Sequence, residues 1–190
     1  MSKKIILLAG PTASGKSKLA IHLAKKMNGE IINADSMQIY KEFSILSSRP
    51  RRSETEKIKH HLYGIVSVKK YFSAGDWLKE VKKKVHLCLK KEKIPIIVGG
   101  TGLYFNTMTK GISKIPDIDT KTRNKVRVLF KLLGSKKFYN KLLELDPKVK
   151  DRINPKDSQR MQRAYEVKLK TRKSLFEWFA KTKSDFQGFD

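Results

Sequence analysis

The most specific chemical pattern in the chain lies near its amino terminus, where residues 10–17 read Gly-Pro-Thr-Ala-Ser-Gly-Lys-Ser. This matches the P-loop pattern, in which backbone N–H groups of a glycine-rich loop and of the following helix converge on phosphate. Lys16 adds a mobile positive charge, and the Ser17 hydroxyl is placed to bind a magnesium ion that bridges phosphate oxygens. We therefore predict that phosphates are held by Gly10, Pro11, Thr12, Ala13, Ser14, Gly15, Lys16 and Ser17.

Two further polar residues follow predicted strands. Asp35 follows residues 30–34, and Thr101 follows residues 94–98. Ligands of open parallel sheets bind beyond the carboxyl ends of the strands, so we expect both side chains near the P-loop. Asp35 could accept a proton, hold magnesium through water, or do both, and it could instead only cap the following turn. Thr101 could donate its hydroxyl to a phosphate or a leaving group, or simply belong to a glycine-rich turn.

The P-loop alone does not identify the phosphate compound. Nucleotide hydrolases and kinases often place an acidic residue directly after a second long apolar strand, where it organises magnesium. Here the obvious strand, residues 94–98, runs into Gly-Gly-Thr instead. The guanine-reading pattern Asn-Lys-x-Asp is also missing from the sequence, since residues 124–127 read Asn-Lys-Val-Arg. An ordinary ATPase or GTPase is therefore disfavoured.

The elements that must position these residues alternate between strand and helix. A short apolar run at residues 3–9 predicts a strand buried on both faces. The following elements are a helix at 16–27 ended by Asn28-Gly29, a strand at 30–34, a helix at 74–91 capped by Ser73, and a strand at 94–98. The polar segment 42–61 predicts a loop or short helices. This order predicts an α/β fold with a P-loop NTPase-like parallel sheet flanked by helices.

The character of the sequence changes after Pro116. Strand patterns end there, and the remaining segments have helical spacing interrupted at Gly134, Asp146-Pro147 and Asn154-Pro155. We therefore predict an α/β domain over residues 1–117 and a helical region over residues 118–190.

Charge and composition restrict the partners. The 190 residues include 43 basic and 18 acidic side chains, for a formal net charge of +25, which favours a polyanionic partner. Most of the basic residues are lysine, however, and a lysine-rich composition can also reflect an AT-rich genome. Cys88 is the single cysteine, so an intrachain disulfide is excluded. The apolar runs are too short to span a bilayer, and we expect a cytoplasmic protein without membrane contact.

Several blocks, taken in order and spacing, resemble the tRNA dimethylallyltransferase family. The early blocks are Gly10–Ser17, Ala34–Tyr40, His60–Leu62 and Val98–Tyr104. The later blocks are Asp146-Pro147, Arg152–Asp157 and Gln159–Val167. Each block is only moderately specific, but together they extend to about residue 173.

The resemblance implies an activity and its partners. The family transfers a dimethylallyl group from dimethylallyl diphosphate to the exocyclic amine of the adenosine on the 3′ side of the anticodon in tRNA. It implies that the catalytic residues are Lys16, Asp35 and Thr101: Lys16 and the loop amides hold the diphosphate, Asp35 accepts the proton, and Thr101 assists the departing pyrophosphate. Ser17 is implied as a ligand of the Mg²⁺ cofactor.

The resemblance also implies a mainly helical insertion that contacts tRNA. The flipped-out adenine is expected against Asp35, Ser36, Met37 and Gln38, as base-modifying enzymes extrude their target. Further tRNA contacts are expected from Thr101, Arg123, Gln159, Arg160, Met161, Gln162 and Arg163. Arg160 and Arg163 lie three residues apart, hence on one helix face, which fits a pair of phosphate contacts as well as an ordinary solvated face. His60 and His61 point to different sides, so we expect no metal site from this pair.

The chain departs from the family in length, since members normally continue with further helices of the insertion and a return to the core. We therefore expect the helical region to be incomplete here, Phe176, Trp178 and Phe179 to lie exposed, and a separate chain to be one source of the missing part. Two other functions stay open on sequence alone: a P-loop kinase of small metabolites and an inactive RNA-binding remnant.

Overall fold

The computed structural model of the chain describes residues 4–189, apart from the side chains of residues 52 and 54. These residues form two compact units. The first unit contains the described residues up to Gly111 together with those from Ser184 onward, and the second contains Ile112–Lys183. Each unit has its own hydrophobic core.

The first unit is built on a four-stranded sheet in which every strand pair is parallel. Its strands are β1 (Ile6–Ala9), β2 (Gly29–Asn33), β3 (His60–His61) and β4 (Ile94–Gly99), in the spatial order β1-β4-β2-β3. Its helices are α1 (Lys16–Lys26), α2 (Arg52–Thr55), α3 (Ala74–Lys90) and α4 (Gly102–Lys110), with a 3₁₀ turn at Lys41–Phe43. The predicted P-loop type of parallel α/β sheet is confirmed.

Helices cover the two faces of this sheet. Alternate residues of a strand point to opposite faces, and the two central strands are apolar on both. Ile31 and Ile96 pair in register and pack with α1, whereas their neighbours Ile32 and Ile97 pair in register and pack with α3 and α4. The N-cap predicted at Ser73 is present, since its hydroxyl accepts from the N–H of Asp76 at 3.2 Å, and the Asp76 carboxylate completes a capping box by accepting from the N–H of Ser73.

Two local expectations were wrong. The strand β1 lies at one edge of the sheet rather than in its middle, so Leu7 is 41% exposed and β1 is not buried on both faces. The segment 42–61 does contain short helices, but His60–His61 adds a parallel strand beside β2, which the polar sequence concealed. The predicted end of α1 at Asn28-Gly29 is confirmed to within one residue, since Met27 is the C-cap and Asn28 follows it in the left-handed conformation.

The second unit is helical. It contains α5 (Thr120–Leu145), a 3₁₀ turn (Pro147–Val149), α6 (Ser158–Thr171) and α7 (Leu175–Ala180). The predicted interruption at Gly134 is a kink inside α5, where this residue has φ 66° and ψ 173°. The core of the unit includes Phe138, whose ring lies 5.2 Å from that of Tyr165.

The aromatic residues of α7 do not form the exposed patch that we expected. Phe176 and Trp178 are partly buried against the core of the helical unit, because α7 turns back onto it, and only Phe179 is half exposed. The Trp178 indole N–H donates to Thr171 Oγ1 at 3.2 Å. Across residues 4–189, none of the helices is long and apolar enough to cross a membrane.

Candidate active site

The P-loop connects β1 to α1 and is shaped by two left-handed residues. Gly15 has φ 79° and serves as the N-cap of α1, a conformation that glycine adopts without a steric penalty. Ala13 has φ 63°, so the loop carries backbone strain at a non-glycine residue. The Ser14 hydroxyl donates to the carbonyl oxygen of Pro11 at 2.8 Å and braces the loop from inside. The helix therefore starts with free N–H groups and its positive dipole end at the loop.

The Lys16 side chain folds back over this loop. Its ammonium donates to the carbonyl oxygen of Pro11 and lies 3.2 Å from Ser14 Oγ. These are solvent-exposed contacts with neutral oxygens, and a phosphate oxygen is a stronger acceptor for an ammonium group. The lysine is thus already held where a phosphate on the loop would meet it.

The order of the strands brings the predicted catalytic residues together at the carboxyl ends of the strands. The P-loop follows β1, Thr101 follows β4, and Asp35 follows β2, and these three strands lie side by side in the order β1-β4-β2. The ends of β4 and β2 approach each other closely, since a Cβ on Gly99 would lie 2.1 Å from the carbonyl oxygen of Ala34. Only glycine fits at this position without moving the backbone.

Thr101 joins the ends of β4 and β2 directly. Its hydroxyl oxygen accepts from the N–H of Ser36 at 2.9 Å, and its hydroxyl hydrogen points to Ser36 Oγ at 3.2 Å. Its own N–H donates to the carbonyl oxygen of Ala34 at 3.2 Å. A hydroxyl has one hydrogen, so Thr101 can donate to a phosphate only if it releases Ser36.

Asp35 caps the turn that follows it. Its Oδ1 accepts from the N–H of Met37 at 2.8 Å and, more weakly, from that of Gln38 at 3.4 Å. The structural role that we considered for this carboxylate is therefore present. Within the described chain its second oxygen, Oδ2, has no hydrogen-bond partner, which leaves that oxygen available to a ligand.

The sequence reasoning missed Asn33, the last residue of β2. Its side chain is fully buried, donates to the carbonyl oxygen of Leu62 at 3.1 Å, and makes two hydrogen bonds to the backbone of Asp35. The indole of Trp77 donates to the carbonyl oxygen of Asn33 at 2.9 Å. A polar residue directly after the apolar pair Ile31-Ile32 was the available signal, because a buried amide must find partners.

A stacked aromatic pair lies beneath this turn. The rings of Trp77 and Tyr104 are nearly parallel, with centroids 4.3 Å apart. Burial raises the pKa of Tyr104 to about 12, and the neighbouring groups Tyr40 and Asp35 act in the same direction. The phenol therefore stays protonated at neutral pH and is available only as a neutral hydrogen-bonding group.

The two residues that complete the predicted adenine contact behave differently. Met37 is 51% exposed at the sheet edge, as a side chain that meets a ligand should be. Gln38 donates its side-chain amide to the carbonyl oxygen of Ser47 at 2.8 Å, so it ties the turn to the loop that follows the 3₁₀ turn.

The predicted magnesium ligand fits the chemistry of this edge. Ser17 is exposed in the first turn of α1, and Asp35 supplies a carboxylate oxygen at the end of a nearby strand. Hydroxyl, carboxylate, phosphate and water oxygens are the ligands that Mg²⁺ prefers.

The helical unit carries the predicted RNA contacts. A cleft of about 590 Å³ at the start of α6 is lined by Lys156, Gln159 and Arg160 among others. Arg160 lies 3.3 Å from Asp157, and Arg163 lies 3.6 Å from Glu166, with their side chains 75% and 40% exposed. Both guanidinium groups are therefore accessible to phosphate, although each is partly neutralised within its own helix.

Three other predicted RNA residues lie in less exposed places. Met161 is fully buried in the core of the helical unit, so its side chain packs rather than faces solvent. Gln162 is partly buried and donates to the carbonyl oxygen of Ser158 at 3.1 Å. Arg123, in the first turn of α5, has a buried Nε without a partner among the described residues. Their contact with RNA stays a prediction.

A buried polar cluster lies away from the P-loop. His61 Nε2 is 2.6 Å from Glu30 Oε2, and the Cys88 thiol donates to the same oxygen at 3.6 Å. Burial holds the pKa of His61 below its ordinary value, against the opposing effect of Glu30. A neutral His61 that donates to an ionised Glu30 satisfies the cluster with hydrogen bonds alone.

Comparison with known proteins agrees with this geometry. The family model described as IPP transferase matches residues 38–189. Among solved structures, a eukaryotic dimethylallyltransferase acting on tRNA superposes with a TM-score of 0.81 at 34% identity, over 97% of this chain and 47% of that one. The full-length tRNA isopentenylpyrophosphate transferase of Bacillus halodurans gives a TM-score of 0.59 at 32% identity, over 91% of this chain and 57% of that one.

Curated relatives are also close. The tRNA dimethylallyltransferase of Pelagibacter ubique (strain HTCC1062) is 57% identical over 187 residues, which is 98% of this chain and 60% of the relative. That of Rickettsia felis is 47% identical over 174 residues, or 92% of this chain and 56% of the relative. The chain thus spans somewhat more than half the length of the curated relatives it matches. On the family match and these identities, the chain belongs to the IPP transferase family.

Proposed function

We propose that this chain transfers a dimethylallyl group from dimethylallyl diphosphate to the N6 amine of the adenosine on the 3′ side of the anticodon in tRNA. The observation that carries the proposal is the meeting of the P-loop, Thr101 and Asp35 at the ends of three neighbouring strands, in a chain of this family. Relatives of similar sequence are named for this activity. Because tRNA is found in the cytoplasm, we infer a cytoplasmic location for this chain.

The residues at the carboxyl ends of the strands have different roles in this reaction. The N6 amine forms a bond to C1 of the dimethylallyl group while the bond from C1 to the diphosphate oxygen breaks, and pyrophosphate leaves with the electron pair. An adenine amine is a weak nucleophile, so the catalysis must come from orientation and from stabilising the leaving group. The N–H groups of the P-loop and Lys16 meet the second need.

The carboxylate of Asp35 takes the proton that the amine must lose. Its Oδ1 is fixed by the N–H of Met37, which leaves Oδ2 to act as the base. Thr101 holds Ser36 and thereby the same turn, so it positions the adenine contact as well as lying beside the leaving group. When bound, Mg²⁺ would be held by Ser17 and would neutralise charge on the pyrophosphate.

The direct test is transfer itself. The purified chain is incubated with dimethylallyl diphosphate, magnesium and unmodified tRNA, and the digested RNA is examined by mass spectrometry for prenylated adenosine. We expect the product with the unaltered chain and none with Lys16→Ala. Binding of dimethylallyl diphosphate without any transfer would contradict the proposal for this chain and favour a role limited to binding.

A further inference from the structure

A second strongly charged feature of the α/β unit lies outside the active site. A cleft of about 470 Å³ is lined by residues from three separate stretches of chain, and half of them are lysines: Lys25, Lys26, Lys57, Lys59 and Lys93. Glu30 is the one acidic side chain in the described lining. The described lining residues therefore carry an excess of four positive charges.

This cleft lies at the amino-terminal ends of β2, β3 and β4, whereas the P-loop lies at the carboxyl-terminal end of the sheet. Glu30 is near the start of β2, Lys59 immediately precedes β3, and Lys93 immediately precedes β4. The P-loop instead follows the carboxyl end of β1. Since a strand rises about 3.3 Å per residue, a strand of five residues such as β2 separates the amino-terminal ends of the strands from their carboxyl ends by about 15 Å. The lysines of the cleft consequently do not belong to the diphosphate site.

Among the described residues, the lysines of the cleft have no ion-pair partner. None of the five lies within 4.0 Å of a carboxylate in the part of the chain that the structure describes, whereas Lys83 on α3 pairs with Glu80 at 2.6 Å. In residues 4–189, the one hydrogen bond made by their ammonium groups joins Lys93 to the side-chain oxygen of Asn28.

The single carboxylate of the lining is already engaged. Glu30 Oε2 accepts hydrogen bonds from both His61 and Cys88. A concave group of like charges without internal partners raises the local positive potential and attracts anions from solution. The cleft is therefore electrostatically suited to several phosphate groups at once.

We propose that this cleft binds the phosphate backbone of RNA, as a contact separate from the active site. The described lining residues include no aromatic side chain and no arginine, so they offer no group that stacks on bases or binds them in a bidentate way. Lysine ammonium groups on flexible stems meet successive phosphodiesters without a fixed geometry. The contact is therefore independent of RNA sequence and strongly dependent on salt.

Salt dependence provides the first test. Binding of unmodified tRNA is measured between low and high salt for the double variant Lys57→Gln/Lys59→Gln. A matched control, Lys79→Gln/Lys83→Gln, removes the same charge from exposed positions of α3. Each lost phosphate contact lowers the slope of log K against log salt by roughly 0.7–0.9, so we expect the cleft variant to bind about tenfold more weakly, with a slope smaller by about 1.5.

The control decides the interpretation of that result. If the α3 variant loses as much affinity and slope as the cleft variant, the effect is a general consequence of net charge and the proposed site is wrong. An unchanged slope in the cleft variant also overturns the proposal.

A second measurement needs no variant that could misfold. Acetylation of lysines by a small reagent, followed by mass spectrometry, reports which ammonium groups a ligand covers. We expect tRNA to protect Lys57 and Lys59 severalfold and to leave Lys79 and Lys83 reactive. Equal protection by inorganic pyrophosphate, or protection by anionic phospholipid vesicles but not by tRNA, would show another ligand and overturn the assignment to RNA.

The inference can be separated from the proposed transfer reaction. The variant Lys16→Ala removes the charge at the P-loop but leaves the opposite edge of the sheet intact. We expect tRNA to protect the cleft lysines in this variant as in the unaltered chain. If Lys16→Ala abolishes transfer but tRNA still protects the cleft lysines, the RNA contact of the cleft is supported. If tRNA fails to protect the cleft lysines in a chain that still transfers the dimethylallyl group, the proposal for the cleft is wrong and the proposed reaction is unaffected.

Discussion

Asn33 holds the backbone of Asp35 from both sides. Its side-chain oxygen accepts from the N–H of Asp35 at 2.9 Å, and its amide donates to the carbonyl oxygen of the same residue at 3.0 Å. Because the rest of the Asn33 amide is anchored on Leu62, the carboxylate of Asp35 is positioned by a buried group rather than by its exposed turn alone. Asn33 is thus a positioning residue for the proposed base.

We expect Asn33→Ala to lower the free energy of unfolding by about 3 kcal/mol, since it leaves several buried backbone groups without partners. Chemical denaturation measures this change. The matched substitution Asn106→Ala, at an exposed position of α4, should shift stability by no more than about 0.5 kcal/mol. Similar effects at the two positions would contradict the role given to Asn33.

The two functions of the Asp35 carboxylate can be separated by a pair of substitutions. Asp35→Asn keeps an oxygen that accepts from Met37 but removes the base, whereas Asp35→Ala removes both. We expect both variants to lose transfer by about 100-fold or more while they still bind dimethylallyl diphosphate, because general-base catalysis contributes about 10²–10⁴-fold. Turnover by Asp35→Asn at the normal rate would show that this residue only caps the turn.

Lys16 should matter for the diphosphate and not for the fold. Among the described residues its ammonium contacts only neutral oxygens of its own exposed loop, so Lys16→Ala should leave stability nearly unchanged. Loss of a charge-assisted hydrogen bond of about 1.5–3 kcal/mol predicts a weakening of diphosphate binding by roughly 10- to 100-fold, measurable by calorimetry. Lys18→Ala, an exposed lysine of the same helix, is the control and should bind normally.

The His61–Glu30 contact predicts a loss of stability in acid. Burial holds the pKa of His61 below 6.5, so the unfolded chain binds a proton first as the pH falls. The stabilising effect of a neutral His61 is present above pH 6.5 and is lost as the pH falls through its lower pKa in the folded protein. Burial raises the pKa of Glu30, but hydrogen bonds from His61 and Cys88 outweigh this effect and keep the pKa below 4.5. The contribution of the ionised Glu30 to stability is therefore lost only below that pH.

Unfolding free energies between pH 7 and pH 5 measure the contribution of His61. We expect stability to decrease over this range, by no more than about 1.4 kcal/mol per pH unit for one proton. The decrease should be reduced in His61→Gln, which keeps an N–H donor but cannot titrate. His86→Gln, at an exposed position of α3, should retain the full decrease, and an unaltered pH dependence in His61→Gln would refute the assignment.

The arginines of α6 should contribute to RNA binding through the helical unit. We expect Arg160→Gln/Arg163→Gln to weaken tRNA binding about tenfold and to lower the salt slope by about 1.5, as for two phosphate contacts. Lys136→Gln/Lys137→Gln removes the same charge from exposed positions of α5. Equal effects of the two variants would show that α6 forms only a solvated helix face.

Local sequence determined the parts of this protein that depend on neighbours along the chain. Gly10–Ser17, the cap at Ser73 and the kink at Gly134 were predictable, because loop, cap and helix geometry follow from residue types at short spacing. The meeting of Asp35 and Thr101 was predictable as well, since the carboxyl ends of parallel strands share one edge.

Tertiary structure alone decided the features that join distant segments. The position of β1 at the edge of the sheet, the anchoring of Asn33 on Leu62, and the burial of Met161 follow from strand order and packing, which local periodicity does not encode. The basic cleft is the clearest case. Lys25, Lys57 and Lys93 are far apart in sequence and look like ordinary surface lysines, and only the folding of β2, β3 and β4 side by side brings their charges together.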